Sequence, residues 1–93
     1  MPYISKEAKK EIDPEINTLI RRIQELCDSH QEDPDGMVNY AFTRILRAFF
    51  GRKYVKFERG IGCLECAKLE FYRRAVAPYE DQKSKENGDV YQP

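Results

Sequence analysis

The sequence predicts an all-α fold, a small helical bundle of about four helices that we expect to assemble as an oligomer. Apolar residues recur every three or four positions in three long segments, which is the period of an amphipathic α-helix. Residues that start and stop helices separate these segments, and no partner strands are visible. We treat residues 1–93 as a single helical domain, with 1–12 as a polar N-terminal arm or short helix, 13–77 as the core helices and 78–93 as a C-terminal tail.

The N-terminal third is predicted to hold two helices. Ser5 suits the N-cap of a short polar helix, and Asp13 and Pro14 are the residue types preferred at the N-cap and first position of a longer one. The apolar side chains of this second helix, which is expected to end near residue 29, form one stripe: Ile16, Leu19, Ile20, Ile23, Leu26 and Cys27.

A polar turn with the sequence Asp-Pro-Asp-Gly at 33–36 is expected to reverse the chain before a third helix over 37–50. Gly51 follows the third helix, where a glycine with left-handed backbone commonly ends a helix. The apolar stripe of this helix consists of Val38, Ala41, Phe42, Ile45, Leu46 and Phe49.

The last long helix is predicted over residues 61–77, after a loop at 52–60. Gly60 and Gly62 either loosen its first turns or admit a close neighbour. Pro78 is expected to end or kink it. Residues 79–86 can add one or two turns that Asn87 and Gly88 would stop.

Composition and charge exclude several classes of protein. Hydrophobic residues make up 41% and charged residues 34% of the chain, which is globular composition, and no run approaches the roughly 20 apolar residues of a membrane span. Lys+Arg and Asp+Glu are equal at 16 each, so no overall field attracts nucleic acid or an anionic membrane. Because the chain shows no signal peptide and has three cysteines, an odd number, we expect it in the cytoplasm.

Four stretches of the chain carry a resemblance to a known family: MPYI at 1–4, LECAKLEFYRR at 64–74, APYED at 77–81 and ENGDVY at 86–91. Together they resemble a family of short uncharacterised proteins carried by bacteriophages and prophages, and the likeness spans nearly the whole chain. The resemblance implies a small intracellular accessory protein that acts by binding, for example to a host protein or a nucleotide-like signal. It carries over no activity, cofactor or catalytic residue.

Cysteine and histidine spacing raises one metal hypothesis. Cys27 and His30 are spaced C-x2-H, and Cys63 and Cys66 are spaced C-x2-C, which are ligand types of structural zinc. Both pairs fall on or at the end of helices, without the turn that usually presents paired thiolates. We therefore favour core or near-core thiols and a solvated histidine over a zinc site, and we expect no cofactor.

Catalysis has little support in the sequence. His30 is the only histidine and lies far along the chain from the serines, so no nucleophilic triad follows from spacing. A helical nucleotide hydrolase would need two pairs of carboxylates on facing helices to hold magnesium, and only Glu25 with Asp28 supplies a pair. We predict that the protein is not an enzyme.

Arginine and tyrosine side chains suggest a site for an anionic, planar ligand, because guanidinium groups bind phosphate in a bidentate manner and aromatic rings stack. The predicted ligand-binding residues are Arg44, Arg47, Arg59, Tyr72, Arg73, Arg74 and Tyr79. Arg52 and Lys53 add positive charge before the last helix. In the alternative interpretation, carboxylates such as Glu65 and Glu70 pair with these arginines and leave an ordinary neutral surface.

The expected partners follow from the same features. Eleven Phe and Tyr residues are many for a small bundle, so we expect some to meet another subunit, through the last helix and the flanking tails. The first functional hypothesis is a non-enzymatic helical protein that binds a nucleotide-like anion. The second is a protein-interaction or inhibitor module that docks a host partner through an exposed helix face.

Overall fold

A computed structural model describes residues 2–92, and helix accounts for 82% of those residues, with no strand among them. The all-α prediction is confirmed. The elements are α1 (Lys6–His30), α2 (Asp35–Phe50), α3 (Tyr54–Phe71), a π-helical segment (Tyr72–Val76) and α4 (Ala77–Asn87). The chain divides into two compact units, which we describe separately: residues 3–60, and residues 61–92 together with Pro2.

α1 is one continuous helix, so the prediction of two helices separated at Asp13 and Pro14 is wrong. Ser5 caps it as predicted, accepting a hydrogen bond from the Ala8 amide at 3.1 Å. Strong helix formers occupy the positions between this cap and Pro14, and they carry the helix through the proline. The continuous helix also places Ile12 one turn before Ile16, which lengthens the apolar stripe towards the N-terminus.

The connection between α1 and α2 follows the predicted turn. α1 ends at His30, and the C-cap residue Gln31 has a left-handed backbone (φ 53°) and donates its amide to the carbonyls of the last turn. α2 begins at Asp35, close to the predicted start, and the Val38 amide donates to the Pro34 carbonyl at 2.9 Å. The predicted end of α2 at Phe50 is confirmed.

The end of α2 differs from the prediction at Gly51. Its φ is −88°, so the expected left-handed cap does not form. Glycine is needed here for a different reason, because a Cβ at this position would lie against the backbone carbonyl oxygen of Arg47. The chain therefore turns because its backbone at Gly51 approaches the Arg47 carbonyl closely, and not because Gly51 has a positive φ.

α3 starts at Tyr54, so the predicted loop over 52–60 shrinks to residues 51–53. The Phe57 amide donates to the Lys53 carbonyl at 2.8 Å and forms the first turn. Gly60 is buried, and a Cβ there would come within 3.0 Å of the Phe50 Cβ, so this glycine admits a close neighbour, one of the two predicted roles. Gly62 has open space around it.

In the second unit Pro78 does not end the helix, so of the two predicted outcomes the end is wrong and the kink is confirmed, because the helical stretch continues past Pro78 and is bent. The chain becomes π-helical over Tyr72–Val76, the Ala77 amide donates to the Tyr72 carbonyl, and α4 then contains Pro78 in its first turn. The wider π turn alters the carbonyl positions that a proline ring would otherwise meet. The predicted stop is confirmed, because α4 ends at Asn87 and Gly88 has a φ of 96°.

The apolar stripes of α1 and α2 remain largely uncovered. Among the described residues, Cys27 is the only buried apolar side chain. Ile16 and Leu19 are 43% and 44% exposed, and Phe49 is 68% exposed. Within residues 3–60 the two stripes therefore do not bury one another.

Candidate binding surface at the end of α2

A basic hollow lies at the C-terminal end of α2, within the unit formed by residues 3–60. It has a volume of about 680 Å³ and is open to solvent. We call it the arginine cleft, and its lining residues are Arg44, Ile45, Arg47, Ala48, Phe49, Gly51 and Arg52.

The helical repeat brings the arginines together. Arg44 and Arg47 are three residues apart and share one side of α2, while the turn at Gly51 returns Arg52 to the same hollow. Because Gly51 has no Cβ, the chain can approach the Arg47 carbonyl and make this turn. The local backbone therefore places three arginine residues around one space.

These three arginines lack carboxylate partners in the part of the chain that the structure describes. Arg44 donates from Nη1 to the Tyr40 hydroxyl at 3.1 Å, and its guanidinium carbon lies 5.7 Å from the centre of the Tyr40 ring. Tyr40 therefore orients Arg44 without neutralising it. Arg47 also offsets the partial negative charge at the end of the helix.

The other predicted site residues lie elsewhere. Arg59 is on α3 and does not line the arginine cleft. In the unit formed by residues 61–92, Arg73 donates to Glu70 at 2.7 Å, and the Lys83 ammonium lies over the Tyr79 ring. Arg74 belongs to the π-helical segment.

Tyr72 lines a separate hollow of about 520 Å³ in the second unit, whose charged lining is mainly acidic. Carboxylates of Glu80, Asp81 and Asp89 surround it, with Lys83 as the one cation of the lining. This chemistry does not suit an anion. Of the seven predicted residues, the structure therefore brings only Arg44 and Arg47 together in the arginine cleft.

The predicted site does not include Arg52, Phe49 or Tyr40. Arg52 belongs to a basic segment of the sequence, but nothing in its spacing joins it to Arg44. A tyrosine four residues before an arginine on a helix is a local signal that could have identified the Tyr40 contact. The approach of Arg52 depends on the backbone at Gly51, which spacing does not reveal.

The four residues of the disfavoured zinc hypothesis fall into both units. Cys27 and His30 lie in the last turns of α1, and the His30 Nδ1 is 2.8 Å from the Leu26 carbonyl oxygen. Cys63 and Cys66 lie on α3 beyond residue 60. No group of three or more His, Cys, Asp or Glu side chains within residues 2–92 is arranged to hold a metal ion.

Burial raises the pKa of the Cys27 thiol, and the nearby carboxylates of Glu32, Asp28 and Asp33 raise it further. A raised pKa keeps the thiol protonated, and a protonated thiol is a weak nucleophile and a weak metal ligand. Cys27 therefore behaves as a small apolar side chain at the end of the α1 stripe.

The fold and this surface define a class: a small all-α protein with exposed apolar side chains on its helices and an open cleft whose arginines have no carboxylate partner among residues 2–92. A family described as "Domain of unknown function (DUF6899)" matches residues 1–90, so the chain belongs to that family. The predicted relationship to an uncharacterised family is confirmed. No curated protein and no solved structure matches the chain.

Within residues 2–92, no helix combines the length and the apolar character that crossing a bilayer requires.

Proposed function

We propose that this protein is a non-enzymatic binding protein whose arginine cleft takes an anionic ligand with a planar group, such as a nucleotide. The observation that supports this most is the convergence of Arg44, Arg47 and Arg52 on one hollow without a carboxylate partner among the described residues. Concentrated positive charge without a counter-ion attracts phosphate.

The shape and lining of the cleft suit this ligand class. Its volume of about 680 Å³ lies within the range of roughly 300–1,000 Å³ that is usual for small-molecule sites. Phe49 is exposed at the cleft and offers a ring on which a planar base can stack. The guanidinium groups would hold the phosphates, and Phe49 would select for a planar group.

Isothermal titration calorimetry with ATP and with inorganic phosphate tests the proposal. We expect R47A to weaken ATP binding about tenfold, because it removes one charge-assisted contact. R59A is the matched control, since it removes an arginine outside the cleft and should leave the affinity unchanged. We expect F49A to weaken ATP binding but not phosphate binding. Failure of the wild type to bind either anion, or equal losses in R47A and R59A, would contradict the proposal.

A second candidate function rests on the exposed stripe of α2. Phe42, Ile45 and Phe49 are about half or more exposed, and such a surface suits docking of a protein partner, for example a host protein. F42D separates the two candidates because Phe42 does not line the cleft. It should abolish binding of a protein partner and leave ATP affinity unchanged.

The biological setting is also a proposal. Carriage by bacteriophages or prophages and a cytoplasmic location follow from the family resemblance and from the sequence. An oligomer formed through the last helix and the flanking tails likewise stays a sequence-based prediction. All three agree with a small accessory protein that works by binding rather than by catalysis.

A further inference from the structure

α1 carries an apolar seam that its own chain leaves mostly uncovered. Its five side chains follow one another at alternating spacings of four and three residues: Ile12, Ile16, Leu19, Ile23 and Leu26. We call this set the α1 seam. The spacing is the heptad pattern of paired helices, with Ile16 and Ile23 at a positions and the other three side chains at d positions.

Two opposite charges flank the α1 seam on one side. Glu15 and Arg22 occupy successive g positions, seven residues apart, and both line a shallow, largely apolar groove of about 440 Å³ together with Leu19. Glu15 has no ion-pair partner among residues 2–92. Arg22 contacts Glu25 of its own helix at 3.3 Å, in a pair exposed enough to exchange partners.

We propose that the α1 seam pairs with the α1 seam of a second copy of this chain, in antiparallel orientation. In this register Ile16 packs opposite Leu19 of the second copy, and Ile12 packs opposite Ile23. The same register places Glu15 opposite Arg22 of the second copy. The two-fold symmetry of such a dimer makes every one of these contacts twice.

Charge complementarity selects this register over its neighbours. Sliding the antiparallel pair by one heptad in either direction would bring Arg22 against Arg22 or Glu15 against Glu15, and like charges across an interface are unfavourable. The flanking pair on the other side, Asp13 with Ile20 of the second copy, adds no repulsion. The seam residues thus match one another while the flanking charges fix their alignment.

In a parallel pair of α1 helices, Glu15 and Arg22 would have no oppositely charged partner. Isoleucine at a and leucine at d also suit parallel pairs, in which a g position faces the following e position of the other helix. Glu15 would then face Ile20, and Arg22 would face Cys27, which is buried within its own chain. Only the antiparallel pair gives both charges a partner.

Sedimentation equilibrium of the full-length protein tests the pairing. We expect the wild type to be a dimer and L19E, which places a charge in the middle of the seam, to be a monomer. A wild-type monomer at 100 μM, or an L19E dimer, would overturn the proposal. Circular dichroism of L19E at the same concentration shows whether its helices persist.

Charge variants test the register without altering the seam. R22E should raise the dimer dissociation constant about tenfold, because it sets two carboxylates together at two symmetric places. R21E is a matched control, since Arg21 also contacts Glu25 and is similarly exposed, 66% against 63%, but points away from the seam. R21E should change the constant less than about twofold.

The double variant E15R/R22E should restore the wild-type dissociation constant, because it exchanges the two charges across the interface. Equal effects of R21E and R22E, or no recovery in E15R/R22E, would overturn the antiparallel register. These experiments are independent of the arginine cleft, so a protein that binds no nucleotide can still meet every expectation stated for the dimer.

Discussion

α1 and the helical stretch from residue 54 to residue 87 both continue through a proline, and they do so in different ways. α1 keeps α-helical structure on both sides of Pro14. The later stretch becomes π-helical over Tyr72–Val76, immediately before Pro78. The comparison shows that a proline marks a helix boundary only where its neighbours also favour a boundary. Where they do not, the backbone can accommodate the proline in two ways: by tolerating one lost hydrogen bond, or by changing from the α-helical to the π-helical repeat.

Replacing Pro14 should have the largest effect. P14A gives the Lys10 carbonyl an amide partner and removes the ring from the middle of α1, so we expect the free energy of unfolding to rise by about 2–3 kcal/mol. Chemical denaturation followed by circular dichroism at one protein concentration measures it. A helix that really began at Pro14 would instead be unchanged or weakened by P14A, because proline is favoured at the first helical position.

α1 and the helical stretch from residue 54 to residue 87 also differ in the reactivity of their thiols. Cys27 is buried in α1 and its pKa is raised, whereas Cys63 on α3 is exposed. At pH 8 we expect iodoacetamide to modify Cys63 at least about tenfold faster than Cys27, as measured by mass spectrometry of digested samples. C63S provides the control for assigning the fast phase, and faster reaction at Cys27 would contradict its burial.

The raised pKa of Cys27 also has a consequence for stability. Above the ordinary pKa of a thiol, the unfolded state releases this proton before the folded state does. The contribution of Cys27 to stability should therefore fall as the pH rises past that value. The same slope should be absent from C27A, which has no thiol to titrate at this position.

Replacing Pro78 should have a smaller effect than replacing Pro14. The π turn already accommodates Pro78 near the start of α4, where a missing amide costs little. We expect P78A to change the free energy of unfolding by less than about 1 kcal/mol, measured as for P14A. An effect as large as that of P14A would mean that the π turn does not lower the energetic cost of having a proline at position 78.

Two glycines on α3 give the smallest expected effect. Gly62 has open space around it, so G62A should stabilise the protein by about 0.5–1 kcal/mol through better helix propensity. G60A gains the same propensity but brings its methyl group against Phe50, so it should be less stable than G62A. Thermal denaturation of the two variants in parallel decides the order, and a more stable G60A would refute the contact.

The part of the fold that could be predicted from sequence is the part with agreeing local signals. α2 combines a turn sequence before it, an apolar stripe along it and a glycine after it, and its bounds were predicted closely. Asp13 and Pro14 gave a strong start signal that the helix formers before them overrode. The first turns of α3 were missed because Tyr54, Val55 and Phe57 favour strands in isolation.

The candidate site was harder to predict than the fold. Residue types identified arginine and tyrosine as the relevant chemistry, but residue type alone does not separate arginines that have a carboxylate partner from those that have none. Arg73 has a carboxylate three residues before it, and the ion pair forms. Arg44 and Arg47 have no acidic residue at helical spacing on either side, a difference that the sequence already contained.

Gly51 carries no charge, yet it determines where the charged side chains of the arginine cleft can lie. Any L-residue with a Cβ there would push against the Arg47 carbonyl, so the segment carrying Arg52 would have to move. Substitution at this one position could thus disperse the cations of the cleft while preserving every one of them. A protein altered in this way would keep its isoelectric point, and a comparison based on charge alone would report the two proteins as equivalent.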